Sequence, residues 1–526
     1  MDIKQYKLAR SFPPRLVIFI LALWGITPSV NAQSPKREFR GAWIATVKNI
    51  DWPSQAKLYA DVQAGEFTDL LDRLQEVGIN AVIVQIRPSG DALYPSAYEP
   101  WSEWLTGEQG RAPDPYYDPL DMMIAEAHSR GMEFHAWFNP YRADLDWQEG
   151  KLRAENHISQ THPEWTLQYG RNLYIDPGIP EAQDYVLDVV LDVVKHYPID
   201  AVHFDDYFYP YRIAETPFPD TSSFEFYGAG FPEIDDWRRY NVNTFIQRLS
   251  DSLRYINPEV QFGISPFGVW RNVADDPEGS DTRAGQTSYD DLYADIRLWL
   301  RNGWIDYVAP QAYWSIGYPP AAFDIIVEWW AANCYGKRLY IGHGPYKIAN
   351  NADKNWDDPT QIPRQVRQLR ENEAVDGSIY FSSRWFDENP LGFADSLQNY
   401  YYRNPALIPS VQKGDPIPPV APSEQEVRIM KKGVQLSWQR SLYGDSVAYY
   451  VIYRSQGKEL PTTNANYIYK IQGGDQRLFL DENTRFLKRY HYIITAVDRQ
   501  HNESAPSEIG SKIRWTGFLQ RWRKNN

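Results

Sequence analysis

Asp200-Ala-Val-His-Phe-Asp-Asp-Tyr-Phe-Tyr-Pro210 reads as a strand that ends in two adjacent carboxylates and a run of aromatic rings. Side chains alternate across a strand, so Val202 and Phe204 share one face while Ala201, His203 and Asp205 share the other. The large apolar pair suits a surface covered by helices. The polar set then points into a barrel, where polar side chains at strand ends belong to a site. Asp206 is out of phase with Asp205 and is expected either to turn into the pocket or to bond loop backbone.

The same unit, a short apolar strand followed by a loop and an amphipathic helix, recurs from Phe39 onward. Strands are expected at Phe39–Thr46, Ile79–Pro88, Met132–Pro140, Asp200–Pro210, Val260–Gly268, Ile305–Trp314, Arg338–Tyr346 and Gly377–Phe386. Helices fill the gaps, for example at Glu66–Val77, Pro119–Arg130 and Ser288–Asn302, with Gly78, Gly131 and Gly303 placed where each must stop. Eight such units over roughly 370 residues predict an α/β fold of the (β/α)8 TIM-barrel type, with its active site on the loops that follow the strands. Three of those loops are long: Ser89–Asp118, Tyr141–Pro180 and Tyr207–Asp236. The first is rich in Tyr and Trp and is expected either to wall a groove or to pack on itself as a lid.

Composition narrows the function. The chain of 526 residues is 43% hydrophobic and 23% charged, as globular proteins are, but its aromatic share reaches 15%, with 20 Trp and 37 Tyr. Flat rings with polar edges suit sugar faces as well as cores, so a glycan partner is expected. A net charge of −14 argues against nucleic acid, whose phosphates need clustered positive charge. Lys4, Lys7, Arg10 and Arg15 precede the apolar run Leu16–Ile26, and Val30-Asn31-Ala32 offers a cleavage site. Residues 1–32 therefore read as a signal peptide, and the mature protein as exported, periplasmic or extracellular. That run is about half of the ~20 residues a membrane span needs, so no stable span is expected. The single cysteine, Cys334, excludes an internal disulfide and reads as a small buried hydrophobe.

After Arg403 the pattern changes. Residues 404–423 are proline-rich and read as a stiff linker. In 424–512 the periodicity becomes two, in Val434-Gln-Leu-Ser-Trp438, Tyr449-Tyr-Val-Ile-Tyr-Arg454 and Tyr490-His-Tyr-Ile-Ile-Thr-Ala-Val-Asp498. With Trp438 buried, these strands resemble a small all-β fibronectin type III sandwich. The resemblance implies a module that spaces or docks a catalytic domain, here in association with a cell wall. Residues 513–526 form a basic, aromatic tail.

Residues 37–403 carry a second resemblance. Phe39-Arg-Gly-Ala-Trp-Ile-Ala-Thr-Val-Lys-Asn-Ile-Asp-Trp-Pro-Ser54, Gln85-Ile-Arg-Pro-Ser-Gly-Asp-Ala-Leu-Tyr94, Pro100-Trp-Ser102, His135-Ala-Trp-Phe-Asn-Pro-Tyr-Arg142 and Phe204-Asp-Asp-Tyr-Phe-Tyr-Pro210 occur in that order. Together they resemble the glycosyl hydrolase-like 10 family, formerly a domain of unknown function. The resemblance implies a secreted bacterial barrel acting on glycans, including peptidoglycan glycan strands.

Glycoside cleavage uses two carboxyl groups, one as acid and the other as nucleophile or base. Asp205 is the first candidate, with Asp206 or Asp91 as its partner. Asp387, Glu388 and Asp51 follow strands eight and one as weaker alternatives, since loop acids commonly form turns or caps. The remaining inward polar and aromatic residues read as sugar contacts: Gln85, Arg87, His135, Trp137, Asn139, His203, Tyr207, Gln311, Tyr313, Trp314 and His343. Arg87 is further expected to hold a substrate carboxylate or to lower the pKa of Asp205. Against these stands a barrel interior filled with mutually satisfied polar groups.

Two rival readings stay open. His135, His203 and Asp205 suit a metal and would make a metal-dependent deacetylase, but the first strand lacks His-x-His, and neither a metal nor another cofactor is expected. The fifth strand ends Gly263-Ile-Ser-Pro-Phe-Gly268 without an acid, which leaves room for a non-catalytic glycan-binding protein.

Overall fold

The computed structural model describes residues 34–513 except 149, 151–152, 412–415, 440–446 and 486. The expected signal peptide and the tail beyond residue 513 lie outside the described residues. Among the described residues no helix is long and apolar enough to cross a membrane.

Eight parallel strands close into a barrel: β1 (Phe39–Ile44), β2 (Ala81–Arg87), β3 (Glu133–Phe138), β4 (Ala201–Phe204), β5 (Gln261–Ile264), β6 (Tyr307–Val308), β7 (Arg338–His343) and β8 (Gly377–Tyr380). Each pairs with its neighbours in sequence, and β8 pairs with β1, so the barrel has no edge. The strands are shorter than the apolar runs suggest. Pro266 and Pro310 follow β5 and β6 and lack the N–H a ladder needs, so these strands stop within a few residues.

Alternation partitions the core. Phe39, Trp43, Ile83, Trp137, Ala201, Tyr307, Tyr340 and Ile379 fill the barrel interior, whereas Val82, Val84, Phe138, Val202, Phe204 and Ile341 face the helices. The inward and outward sets of β4 are those expected. Helix α1 (Ala60–Val77) buries Phe67, Leu71, Leu74 and Val77 at helical spacing and ends at Gly78, whose φ of 100° is open to glycine. Further ring helices include α2 (Pro119–Ser129), α3 (Pro180–His196), α4 (Ile234–Ile256), α5 (Phe323–Asn333) and α6 (Gln361–Arg370). The single helix expected over 288–302 is instead two short ones, Ser288–Asp291 and Ile296–Arg301, separated where Tyr293 takes φ 55°. Cys334 caps α5 and is buried, as its type implies.

A small all-β domain follows, with one sheet of strands 423–429, 434–439 and 478–481 and another of 468–473, 449–455, 489–497 and 510–513. Val434, Leu436, Trp438, Tyr450, Ile452, Tyr492 and Ile494 pack between them. The start of the expected linker is not a free spacer. Leu407 packs with Tyr449, Val451 and Tyr453 of this domain, and the next residue, Ile408, packs into the floor of the barrel interior. Two consecutive apolar residues therefore staple the two domains, a role that proline content alone does not reveal.

Candidate active site

A cavity of about 410 Å³ opens at the C-terminal end of the barrel strands. Loops after seven strands supply its wall: Val47 and Ile50 after β1, Arg142 after β3, Tyr207 and Tyr211 after β4, Phe267 after β5, Gln311, Tyr313 and Trp314 after β6, Tyr346 and Lys347 after β7, and Phe381 after β8. Trp43, Gln85, Trp137 and Ser265 complete the floor. The aromatic loop Ser89–Asp118 contributes none of these residues. Its rings pack on neighbours instead, Trp101 on Tyr116 and Tyr94 on Tyr197.

Asp205 and Asp206 both face this cavity, with 5% and 2% of their surfaces exposed. Strict alternation would have sent them apart, but β4 ends at Phe204 and both acids lie beyond the pleat. Asp205 Oδ2 accepts from the Asn139 amide and, at 3.3 Å, from the Trp137 indole; Oδ1 accepts only a long 3.4 Å bond from Tyr207 N. Asp206 accepts from the Tyr211 hydroxyl. Burial, followed by the charge of Asp206, pushes the Asp205 carboxyl up to about 7, against the opposing pull of Arg142. Burial also raises Asp206, opposed by its bonds to Tyr211 and Gln311.

The orientation of Asn139 is fixed from behind. Gln85 Oε1 accepts from Thr46 N and Val47 N at 3.0 and 2.9 Å, so its amide nitrogen is the end left to donate to Asn139 Oδ1, at 2.6 Å. Asn139 must then turn its own NH₂ toward Asp205. Gln85 and Asn139 thus set the acid rather than simply lining a sugar site.

Residues 38–358 match the glycosyl hydrolase-like 10 family. The chain belongs to it. Over 488 residues, 92% of this chain and 94% of the other, it is 48% identical to the glycosyl hydrolase YngK of Bacillus subtilis (strain 168). It is 40% identical to the glycosyl hydrolase DigH of Escherichia coli (strain K12) over 72% of this chain and 90% of that protein. The family assignment and the closed parallel barrel agree on a glycosidase-type protein.

For this member of the family, several expected contacts lie elsewhere. Arg87 is expected in the pocket, but a register shift between Gln85 and Arg87 turns it away. Its guanidinium pairs with Glu99 and donates to the carbonyls of Asn139 and Pro140. The pocket's cations are Arg142, 4.9 Å over the Tyr207 ring, and Lys347, 5.7 Å from the Trp314 ring centroid. Asp91 is likewise outside the cavity, its Oδ1 accepting from Ser89 N; burial pushes it up to about 7, with nearby Glu99 adding to the rise. His135 and His203 point inward as expected, but one or more layers below the cavity. His343 faces the helices, between Phe323 and Tyr380, bonded to Gln365 and Ser378; Tyr340 is inward, so a residue three positions on is outward. Asp387 is exposed beside Arg73, Glu388 pairs with Arg384, and Asp51 accepts from Ala45 N and Ser382 Oγ. Trp137, Tyr207, Gln311, Tyr313 and Trp314 do meet Asp205 and Asp206 in the cavity.

Sequence reasoning missed Trp43, Arg142, Tyr211, Ser265, Phe267, Tyr346, Lys347 and Phe381. Arg142 was legible, since it closes the motif His135–Arg142. Phe267 lies three residues beyond the end of β5, where alternation no longer assigns its ring to a face.

Proposed function

We propose that this protein is an exported glycoside hydrolase that cleaves O-glycosidic bonds of a bacterial cell-wall polysaccharide, with peptidoglycan glycan strands as the first substrate to test. The observation that carries this reading is the pair Asp205 and Asp206, buried together in the wall of an aromatic-lined cavity with their acidities lowered. Like charges this close do not both ionise readily, so around neutrality the pair holds one proton. Asp205 carries it, on Oδ1, because Oδ2 is committed to two N–H donors. Asp205 then serves as the acid toward the leaving oxygen, and ionised Asp206 as nucleophile or base. No cofactor enters the scheme. Trp314, Tyr313 and Tyr207 offer ring faces to sugars, and Arg142 offsets negative charge as the pair changes protonation.

The pH dependence follows from these signs. Rate should fall below the raised pKa of Asp206, where the base is lost, and again above about 7, where Asp205 gives up its proton. A pH profile of kcat that keeps rising from 7 to 9 would contradict this assignment. Trp314→Ala should raise KM about tenfold, equivalent to about 1.4 kcal/mol of lost binding, with kcat little changed, as initial rates on soluble glycan fragments would show.

Incubation of the mature protein with sacculi, peptide-stripped glycan strands and a polysaccharide panel, followed by mass spectrometry, tests the function itself. New reducing ends or anhydro-sugar products support the hydrolase. Retention on insoluble glycan without product supports the binding-protein reading instead. The deacetylase reading requires His135 and His203 as ligands, yet both ring nitrogens of each already bond protein groups.

A further inference from the structure

A single chain of hydrogen bonds runs the length of the barrel interior, from the C-terminal domain to the wall of the Asp205 cavity. His501 Nε2 meets Glu133 Oε1 at 2.6 Å, and Glu133 Oε2 meets His135 Nε2 at 2.9 Å. The Tyr307 hydroxyl lies 2.8 Å from both His135 Nδ1 and His203 Nδ1. His203 Nε2 meets Ser265 Oγ at 2.9 Å and the Trp43 indole N–H at 3.3 Å.

The direction of every bond can be deduced. An indole only donates, so His203 Nε2 is an acceptor and its proton sits on Nδ1. That proton goes to the Tyr307 oxygen, which frees the Tyr307 hydroxyl to donate to His135 Nδ1. His135 then carries its proton on Nε2 and gives it to Glu133. From the other end, Glu133 is held ionised against its burial by His501 and His135, and an ionised carboxylate only accepts, which independently places a proton on His135 Nε2. The Ser265 proton is therefore spent inside the wall, on His203 Nε2 or on Phe204 O at 3.4 Å. What Ser265 offers the cavity is a lone pair.

We propose that Ser265 is a specificity-determining residue that accepts a bond from a substrate hydroxyl, and that His501 is a positioning residue which fixes this polarity from the C-terminal domain; the proposal rests on the glycan reading above. His501 also faces the Tyr449 hydroxyl at 3.2 Å, and Arg499, Asp200 and His128 line the same junction, while Gln261 gives Glu133 a further bond at 3.2 Å. Without the His501 donor, burial favours a protonated Glu133, which donates to His135. The chain then reverses, giving up the long Trp43 bond to His203 Nε2, and Ser265 presents a proton instead.

The test uses the full chain labelled with ¹⁵N-histidine, the His203 signals being assigned by their loss in His203→Gln. In the wild type His203 should be a neutral Nδ1–H tautomer from pH 5 to 8. His501→Ala should move it toward Nε2–H, whereas His501→Gln, which keeps a donor on Glu133, should not. Ser265→Ala should raise KM about tenfold, the scale of one lost hydrogen bond, with kcat unchanged. Should the protein bind glycan without cleaving it, the same change is read in Kd, so that failure of the hydrolase reading is separable. A wild-type His203 that titrates or carries its proton on Nε2, a tautomer indifferent to His501→Ala, or an unchanged KM and Kd in Ser265→Ala would each overturn the proposal.

Discussion

Asp205→Asn is expected to lower turnover by about 10²–10⁴-fold, the range that a positioned proton donor contributes, while leaving the fold intact. The local geometry explains why the two effects separate. Asn139 and Trp137 both donate to Oδ2, a role that an amide carbonyl fills as well as a carboxylate. The amide NH₂ then replaces Oδ1, which accepts only the 3.4 Å bond from Tyr207 N. The substitution also removes a buried carboxyl beside Asp206, so the melting temperature should stay level or rise, as happens where a site holds strained charge. Asp206→Asn should cost turnover on the same scale. Asp91→Asn, outside the cavity, should leave it unchanged. Normal turnover in a folded Asp205→Asn protein would remove Asp205 from the mechanism.

The barrel was legible because its signal is repeated: eight strand-then-helix units in order, many of the helices closed by a glycine or followed by a proline. The inward face of β4 was legible from its polar set, since His203 and Asp205 alternate with Val202 and Phe204 and polar side chains at a strand end belong with a site. What sequence could not supply was depth. His135 and His203 have the right phase, yet parity does not say which layer of the interior a residue occupies. Nor does parity survive a bulge or a strand end. The register shift after Gln85 sent Arg87 outward, and the early end of β4 brought Asp206 back beside Asp205. Pocket residues drawn from loops after β5, β7 and β8 had no periodic signal to carry them.

The misplaced arginine carries the largest expected effect on stability. Arg87 and Glu99 have fully buried side chains and pair through two guanidinium nitrogens. Taking either charge out of water is expensive, and the pair repays that only while both members are present. Glu99→Ala leaves a buried guanidinium with only the Asn139 and Pro140 carbonyls and the Tyr185 hydroxyl region around it, and should cost about 3–5 kcal/mol. Arg87→Met should cost a similar amount by stranding the carboxylate. The double change Arg87→Met with Glu99→Leu removes both charges, so it should destabilise less than either single change. Urea unfolding followed by tryptophan fluorescence would show this ordering, and a Glu99→Ala protein as stable as the wild type would refute it. Activity should follow stability here. The Arg87 bonds to the Asn139 and Pro140 carbonyls anchor the turn that presents Asn139 to Asp205 and, two residues beyond Pro140, Arg142 to the cavity. Loosening that anchor disturbs the donor that holds Asp205 and the cation that opposes its rise in pKa, so the folded fraction of Arg87→Met should also turn over more slowly than the wild type. The arginine read from sequence as a substrate contact thus serves the site from outside it, by holding the backbone on which two pocket residues stand.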